Sequence, residues 1–378
     1  MDSLEPRIDR PLRFLHVSPS LGPGGREARM VELMGMLPRS VTHVLLALDG
    51  DRRALDRLPA DVVRELVPAP PSAGLLARLR GMRRTIREQN ADLVLTYNWG
   101  SIEWVLAATF RGLSPVIHHE DGFGPDEVAA QVPRRRRLRR WVLPRANAVV
   151  APSRVLCSIA ETTWGIRAPK LRYLPNGVDL ARFRLPADRE RGVRRDGAMV
   201  FVCVGSIRKE KNQALAVAAF ARTRCRARAR LRIVGDGPER ESVAALAQEL
   251  GVADRVDFTG NVLDTAPQYR DAEVFLIPSR TEQMPLSLLE AMASGLAVVG
   301  TDVGDVKNML DEANRRFVVP PGDAAALAAA MDELESDRDL RADLGRRNRT
   351  RVEQEFDRED CYGRYCELYL TTARAAQR

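Results

Sequence analysis

Residues 278–304 read PSRTEQMPLSLLEAMASGLAVVGTDVG. The apolar run just before them, 273–277, has the length and composition of a buried strand. A polar loop over 278–283 follows, and the apolar spacing of 285–294 predicts a helix. Pro285 is tolerated at the first helical turn, where the missing amide has no intrahelical partner, and Gly295 stops the helix before a second strand at 297–300. Strand, loop, helix, strand is one crossover of a parallel sheet. The loop after its first strand opens onto a crevice, where free amides at the helix start favour an anion such as a phosphate. Two carboxylates, Glu282 and Glu290, bracket that junction. Eight helical positions would separate them by roughly 12 Å at about 1.5 Å per residue. That exceeds the gap of about 5 to 10 Å between two carboxylates working on one glycosidic bond. An extended ligand with hydroxyls at its ends and anionic groups between them, such as a sugar nucleotide, suits the spacing. The plainer alternative has Glu282 capping the helix and Glu290 solvated.

The same alternation extends in both directions. Strands are predicted at 13–18, 42–48, 93–96, 115–118, 148–151 and 171–174, with helical patterns at 26–36, 75–89 and 101–110. A charged, aperiodic stretch at 186–197 reads as a linker. Strands then resume at 199–205, 231–237, 255–260, 273–278, 297–302 and 316–322, and 356–370 is a final helix. A chain of 378 residues exceeds one typical core, so the reading is α/β with two similar parallel-sheet halves facing across a cleft.

Composition narrows the function classes. No stretch approaches the roughly 20 apolar residues of a membrane span. Residues 1–13 are charged with no apolar leader core, which points to the cytoplasm. The five cysteines form no CxxC and no metal spacing, so neither a metal centre nor thiol chemistry is expected. Net charge is +8, from 59 basic and 51 acidic residues. Six of the arginines (Arg134, Arg135, Arg136, Arg137, Arg139 and Arg140) fall within seven positions just before Trp141. They form a basic amphipathic helix that could rest on an anionic membrane surface or be solvated. Without an accompanying nucleic-acid module, nucleic acid is not expected as a partner.

Four further stretches carry candidate ligand groups. Gly24 and Gly25 end the loop PSLGPGG between a strand and a helix, where backbone can approach a ligand. No GK[ST] or GxGxxG accompanies them, so a P-loop or dinucleotide site is disfavoured. In HHEDGFGPDE, residues 118–127, His118, His119 and Asp121 lie at a strand end, where a side chain can bind a sugar hydroxyl or carry a proton. GSIRKEKN, 205–212, places Arg208, Lys209 and Lys211 after a strand and before a helix, where a diphosphate would sit. Gly235 and Gly237 in GDGPE either bring backbone to a base or ribose or form a simple turn.

Taken together these stretches resemble retaining glycosyltransferase family 4, of the GT-B fold with two Rossmann-like domains. The resemblance covers nearly the whole chain. It is carried by Glu282 and Glu290 with seven residues between them within 278–304, by the Gly24-Gly25 loop, by PNGVD at 175–179, by the VG strand end with Lys211, and by VGDGPE at 234–239. It implies an acceptor-binding domain at 1–185, a donor-binding domain at 186–355, and a terminal helix at 356–378 returning to the first. It also implies that Glu282 meets the donor sugar, Glu290 the ribose, and Lys211 and Arg208 the diphosphate, with Gln283, Met284, Pro285 and Leu286 beside the donor. Gln283-Met284 stands where the family has Gly-Phe, and Ser206 where it often has Arg. His119, as the first loop residue, is the expected acceptor-side group, with His118 and Asp121 as alternatives. The implied activity is transfer of a hexosyl group, with retention, from a UDP- or GDP-sugar to a hydroxyl of a glycan or lipid-linked acceptor in polysaccharide or glycoconjugate synthesis. No metal and no cofactor beyond the co-substrate are expected. The protein would lie in the cytoplasm or at the inner face of the membrane. A sugar-nucleotide epimerase on the same fold and a non-catalytic partner subunit are the alternatives.

Overall fold

The computed structural model describes residues 10–70, 74–127, 130–184 and 198–377. Most of the charged stretch at 1–13 and all of the linker at 186–197 fall outside them. Two compact units result, one of Met1–Leu174 with Tyr362–Arg378, the other of Pro175–Cys361.

In the first unit the chain runs β1 (Arg13–Ser18), α1 (Gly25–Met36), β2 (Thr42–Ala47), β3 (Arg64–Leu66), α2 (Leu75–Glu88), β4 (Leu93–Tyr97), α3 (Ile102–Thr109), β5 (Val116–His119), α4 (Pro133–Val142), β6 (Ala148–Ala151), α5 (Arg154–Thr162) and β7 (Leu171–Tyr173). The sheet is parallel, in the order β3-β2-β1-β4-β5-β6-β7. Helices cover both faces of such a sheet, which is why its inner strands read as continuous apolar runs. The exposed edge strand β3 lacks that signal and is absent from the sequence reading. Strand order reverses around β1, which pairs with β2 on one side and β4 on the other. His16 and His43 are buried in neighbouring strands and satisfy each other, His16 Nε2 lying 3.0 Å from His43 Nδ1.

The second unit repeats the scheme: β8 (Met199–Val204), α6 (Gln213–Arg222), β9 (Ala229–Val234), α7 (Arg240–Glu249), β10 (Val256–Gly260), α8 (Ala266–Arg270), β11 (Val274–Ile277), α9 (Leu286–Ala293), β12 (Ala297–Thr301), α10 (Val306–Met309), β13 (Val318–Val319), α11 (Ala324–Ser336) and α12 (Arg338–Glu355). Its parallel sheet runs β10-β9-β8-β11-β12-β13. One apolar cluster packs around Phe201, Leu276 and Met331, a second around Phe275, Leu288 and Met292. The final helix, α13 (Arg358–Ala375), starts against the PNGVD stretch. The amide of Arg358 donates to Val178 O at 3.2 Å. A Cβ on Gly177 would sit 2.6 Å from Arg358 Cα, so this crossing requires glycine.

Candidate functional site

The crossover from β11 to α9 sets the geometry of the second unit. Pro285 is the N-cap of α9, so Glu282 lies ahead of the helix and does not cap it. Its carboxylate accepts from Lys211 Nζ at 2.6 Å and from Ser279 Oγ at 2.7 Å, and its side chain is 8% exposed. Lys211 reaches it from the loop after β8. There the amides of Lys211 and Asn212 fold back onto Arg208 O at 3.0 and 3.1 Å, and Asn212 takes a left-handed conformation with φ +53°. The two loops are tied directly, Arg280 N donating to Glu210 O at 2.8 Å. From the far side, Thr301 Oγ1 donates to Ser279 O at 2.6 Å and Asp305 N to Gln283 O at 3.0 Å. Gly304 sits at φ +54°, and a Cβ there would lie 2.0 Å from Glu282 O. Arg208 stays 55% exposed, with Glu210 at 3.8 Å. One cation is thus committed to Glu282 while the other faces solvent.

Glu290 sits on α9, where its Oε2 accepts from Tyr269 Oη at 2.8 Å and Thr265 Oγ1 at 3.4 Å. Burial, reinforced by the Glu290 charge, pushes the Tyr269 phenol well above its usual pKa. It therefore stays a donor. The side chain of Met284 is buried in the apolar cluster around Phe275. Asn176 holds it there, the side-chain amide donating to Met284 O at 2.7 Å and the backbone N–H to Met284 Sδ at 3.2 Å. Gly235 and Gly237 likewise serve a contact internal to the protein. A Cβ on either would lie 2.2 Å from Gly205 O or 2.3 Å from Ile207 O; the close approach they permit is between two loops.

In the first unit the end of β5 carries the other candidates. His119 is the last residue of the strand, not the first of the loop. Its Nδ1 lies 3.2 Å from Thr96 O and its Nε2 2.7 Å from Tyr369 Oη on α13. Its ring stacks on Tyr97, with centroids 4.7 Å apart. Burial, helped by the Arg29 charge, pulls its pKa down to about 3. His119 is therefore a buried, neutral imidazole with both nitrogens engaged. His118 is buried too, with Nδ1 2.9 Å from Thr96 Oγ1. Asp121 is different. Its Oδ1 accepts from Arg29 Nη2 at 2.6 Å, while Oδ2 has no partner among the described residues. Burial raises its pKa, but Arg29 outweighs this and holds the carboxyl below the usual range. Arg29 lies on α1, the helix that the Gly24-Gly25 loop leads into.

The basic helix α4 is not a uniform charged face. Arg139 is fully buried. It forks onto Glu127 at 3.0 and 2.9 Å and reaches Glu120 at 3.3 Å, against the rings of Trp99, Phe123 and Trp164. Arg135, one turn earlier on the same helix face, pairs with Asp126 at 2.6 Å. Both are therefore withdrawn from the expected membrane-facing set. Arg134, Arg136, Arg137 and Arg140 remain exposed.

Comparison with known proteins gives the family. Residues 186–351 match the model for glycosyl transferases group 1, and residues 24–177 that for a glycosyl transferase 4-like domain. A GDP-mannose-dependent alpha-(1-6)-phosphatidylinositol monomannoside mannosyltransferase of Mycobacterium tuberculosis is 32% identical over 348 residues, covering 85% of this chain and 88% of the relative. The chain belongs to the group 1 glycosyl transferases. A second relative, N-acetyl-alpha-D-glucosaminyl L-malate synthase of Bacillus anthracis, is 28% identical across 63% of each chain. The Anabaena protein HepE, solved in complex with UDP, has the same GT-B fold, with a TM-score of 0.81 at 20% identity over 95% of this chain and 100% of its own.

Within this group 1 transferase, sequence reasoning missed Ser279, Tyr269, Asn176 and Arg29. Asn176 was within reach, since PNGVD was singled out without a role. Arg29 lies within the apolar pattern of α1, where an arginine at an inward position signals a buried counter-charge.

Proposed function

We propose that this glycosyltransferase moves a hexosyl group from a nucleoside diphosphate sugar to a hydroxyl of a glycan or lipid-linked acceptor, with retention at the anomeric carbon. The observation that carries the reading is Glu282, fixed by Lys211 and Ser279, with Arg208 exposed on the neighbouring loop. The anomeric C–O bond to the diphosphate breaks as the acceptor oxygen bonds on the same face. The acceptor proton passes to the departing phosphate oxygen, so no separate base is required. Lys211 and Arg208 stabilise the charge developing on the diphosphate, each such well-placed donor contributing about 3 kcal/mol. Glu282 orients the sugar, and Glu290, aligned by Tyr269, receives the ribose hydroxyls. In the first unit Asp121, held ionised by Arg29 and with one oxygen unpartnered among the described residues, is the group we assign to an acceptor hydroxyl.

The mannosyltransferase relative makes GDP-mannose the favoured donor. The test is thermal shift and donor hydrolysis with GDP-, UDP- and ADP-sugars on the purified protein. The expected result is stabilisation by one donor class and hydrolysis abolished in Glu282→Ala; failure to bind any nucleotide would overturn the reading. We further propose that these cations do the work a metal would otherwise do, so turnover should survive EDTA. Trp141, 53% exposed beside Arg137 and Arg140, supports contact with an anionic membrane. No helix among the described residues is long and apolar enough to cross one. Sedimentation with phosphatidylglycerol vesicles should be lost in an Arg137→Glu/Arg140→Glu double variant.

A further inference from the structure

At the amino ends of its strands the first unit gathers cations without counter-charges. Of the 59 basic residues 30 fall in this unit, against only 19 of the 51 acidic ones. Helix α3 packs against both α2 and α4, and each of the three leads back to the start of the next parallel strand. Their carboxyl ends therefore share one rim. Phe110, the C-cap of α3, is 60% exposed there, and Trp141, in the last turn of α4, is 53% exposed. Guanidinium groups cover both rings. Arg83 and Arg111 lie over Phe110, with Cζ 5.1 and 5.5 Å from the ring centroid, and Arg145 lies over Trp141 at 4.5 Å. Arg87 follows Arg83 one turn later on the same face of α2. Arg84 pairs with Glu88 at 3.8 Å, but Arg83, Arg87, Arg111 and Arg145 form no ion pair among the described residues. The crowding shows at Arg83, whose pKa is drawn below its usual value by burial and by the charges of Arg87 and Arg111.

Helix capping accounts for Arg83, whose Nη1 donates to Ala107 O at 2.9 Å and to Phe110 O at 2.5 Å. It does not account for the rest. Arg111 holds φ +57°, a left-handed conformation that glycine adopts without cost and an arginine does not. An acidic peptide would satisfy the cations and leave both rings in water. The bases of a nucleic acid would need ring faces that the guanidinium groups already cover. A lipid interface meets both requirements, since aromatic rings settle at the headgroup level and arginines pair with anionic headgroups beside them. We infer that this rim docks the first unit on an anionic bilayer, with Phe110 and Trp141 entering the interface and Arg83, Arg87, Arg111 and Arg145 meeting lipid phosphates. It rests on the membrane contact proposed above for α4 only in assuming that a membrane is present. The rim lies at the opposite end of the sheet from the Gly24-Gly25 loop and Asp121. At about 3.3 Å per residue, the run from Pro115 to Asp121 sets that carboxylate roughly 20 Å away. Docking in this way holds the protein at a membrane without pressing its ligand loops against the lipid.

The experiment uses the full-length protein with vesicles of phosphatidylcholine alone and of phosphatidylcholine mixed with phosphatidylglycerol, read by sedimentation and by hydrogen exchange. The expected result is binding that requires phosphatidylglycerol and is weakened about fivefold by Arg87→Gln and by Arg111→Gly, the effect of one cation near an anionic surface. Phe110→Ser should weaken it at least as much. Arg111→Gly relieves the left-handed backbone, so its melting temperature should hold or rise and a loss of binding cannot be put down to unfolding. Vesicles should protect the amides of 110–112 and 141–143 from exchange and leave 121–124 unchanged. Equal binding to phosphatidylcholine alone, binding indifferent to all three variants, or protection at 121–124 instead would overturn the inference. So would displacement of the protein from vesicles by polyglutamate or polyuridylate at matched charge. If Arg137→Glu/Arg140→Glu abolishes binding while Phe110→Ser and Arg111→Gly do not, the α4 contact stands and the rim falls. Donor hydrolysis without vesicles should be the same in every variant; its absence throughout would sink the transferase reading and leave the rim in place.

Discussion

The end of β5 in the first unit and the loops after β8 and β11 in the second gather the same kinds of group, carboxylates and cations at the ends of parallel strands, and treat them oppositely. In the first unit His118, His119, Glu120 and Arg139 are essentially dry, and Asp121 is locked to a buried Arg29. In the second, Lys211 keeps 22% of its side chain in water and Arg208 more than half. Buried ion pairs gain little net stability and mainly become costly when one partner is removed. A partly hydrated cation can turn to a ligand phosphate without that penalty. The end of β5 is therefore built to hold its shape, the loops of the second unit to exchange partners.

The largest effect expected from this contrast comes from Arg29→Met, which strips the cation paired with Asp121 and should cost about 3–5 kcal/mol of stability in urea unfolding. Adding Asp121→Asn should recover part of the loss. A loss below about 1 kcal/mol would erase the distinction between the loops. Next, Glu282→Gln should reduce donor turnover about 10²- to 10³-fold, the range seen when one well-placed polar group is removed from an active site. Its unfolding midpoint should barely move; a variant that unfolds readily would make Glu282 a structural residue.

Protons provide the third test. Burial depresses His119 to about 3 and His43 to about 4, so both stay neutral in the fold while an unfolded imidazole titrates near 6.5. The unfolded chain binds more protons between those values. Their stabilising effect is thus complete above pH about 6.5 and is lost as pH falls, by about 2 kcal/mol per ring between pH 6.5 and 5. Urea titrations across that window should show the loss; a flat profile would mean that the first unit is wetter than described. The smallest effect belongs to Tyr369→Phe. Removing the hydroxyl that faces His119 Nε2 should cost about 1–2 kcal/mol, read as a lower melting temperature with unchanged donor hydrolysis.

Much of the fold was legible in the sequence because buried parallel strands are apolar on both faces. Strands at 13–18 and 148–151 match the sequence reading, and most others agree within a residue or two. The exposed β3 left no such trace. In the site, Glu282, Glu290, Lys211 and Arg208 could be placed from a single crossover and the loop beside it. The arginine run misled at two positions because Arg135 and Arg139, four residues apart, share the inward face of α4, and their counter-charges come from Asp126, Glu127 and Glu120 ahead of the helix.

The sequence by itself determined the two α/β units, the crossover that carries Glu282, and the family to which the chain belongs. Those features are written in hydrophobic period, glycine placement and the spacing of two carboxylates, all local along the chain. Only the tertiary structure decided which titratable groups face solvent and which face one another. His119 is closed off by Tyr369, 250 residues away, and Asp121 is held ionised by Arg29, 92 residues away. Burial and pairing depend on what the fold brings alongside a residue, and neighbours in sequence do not specify that.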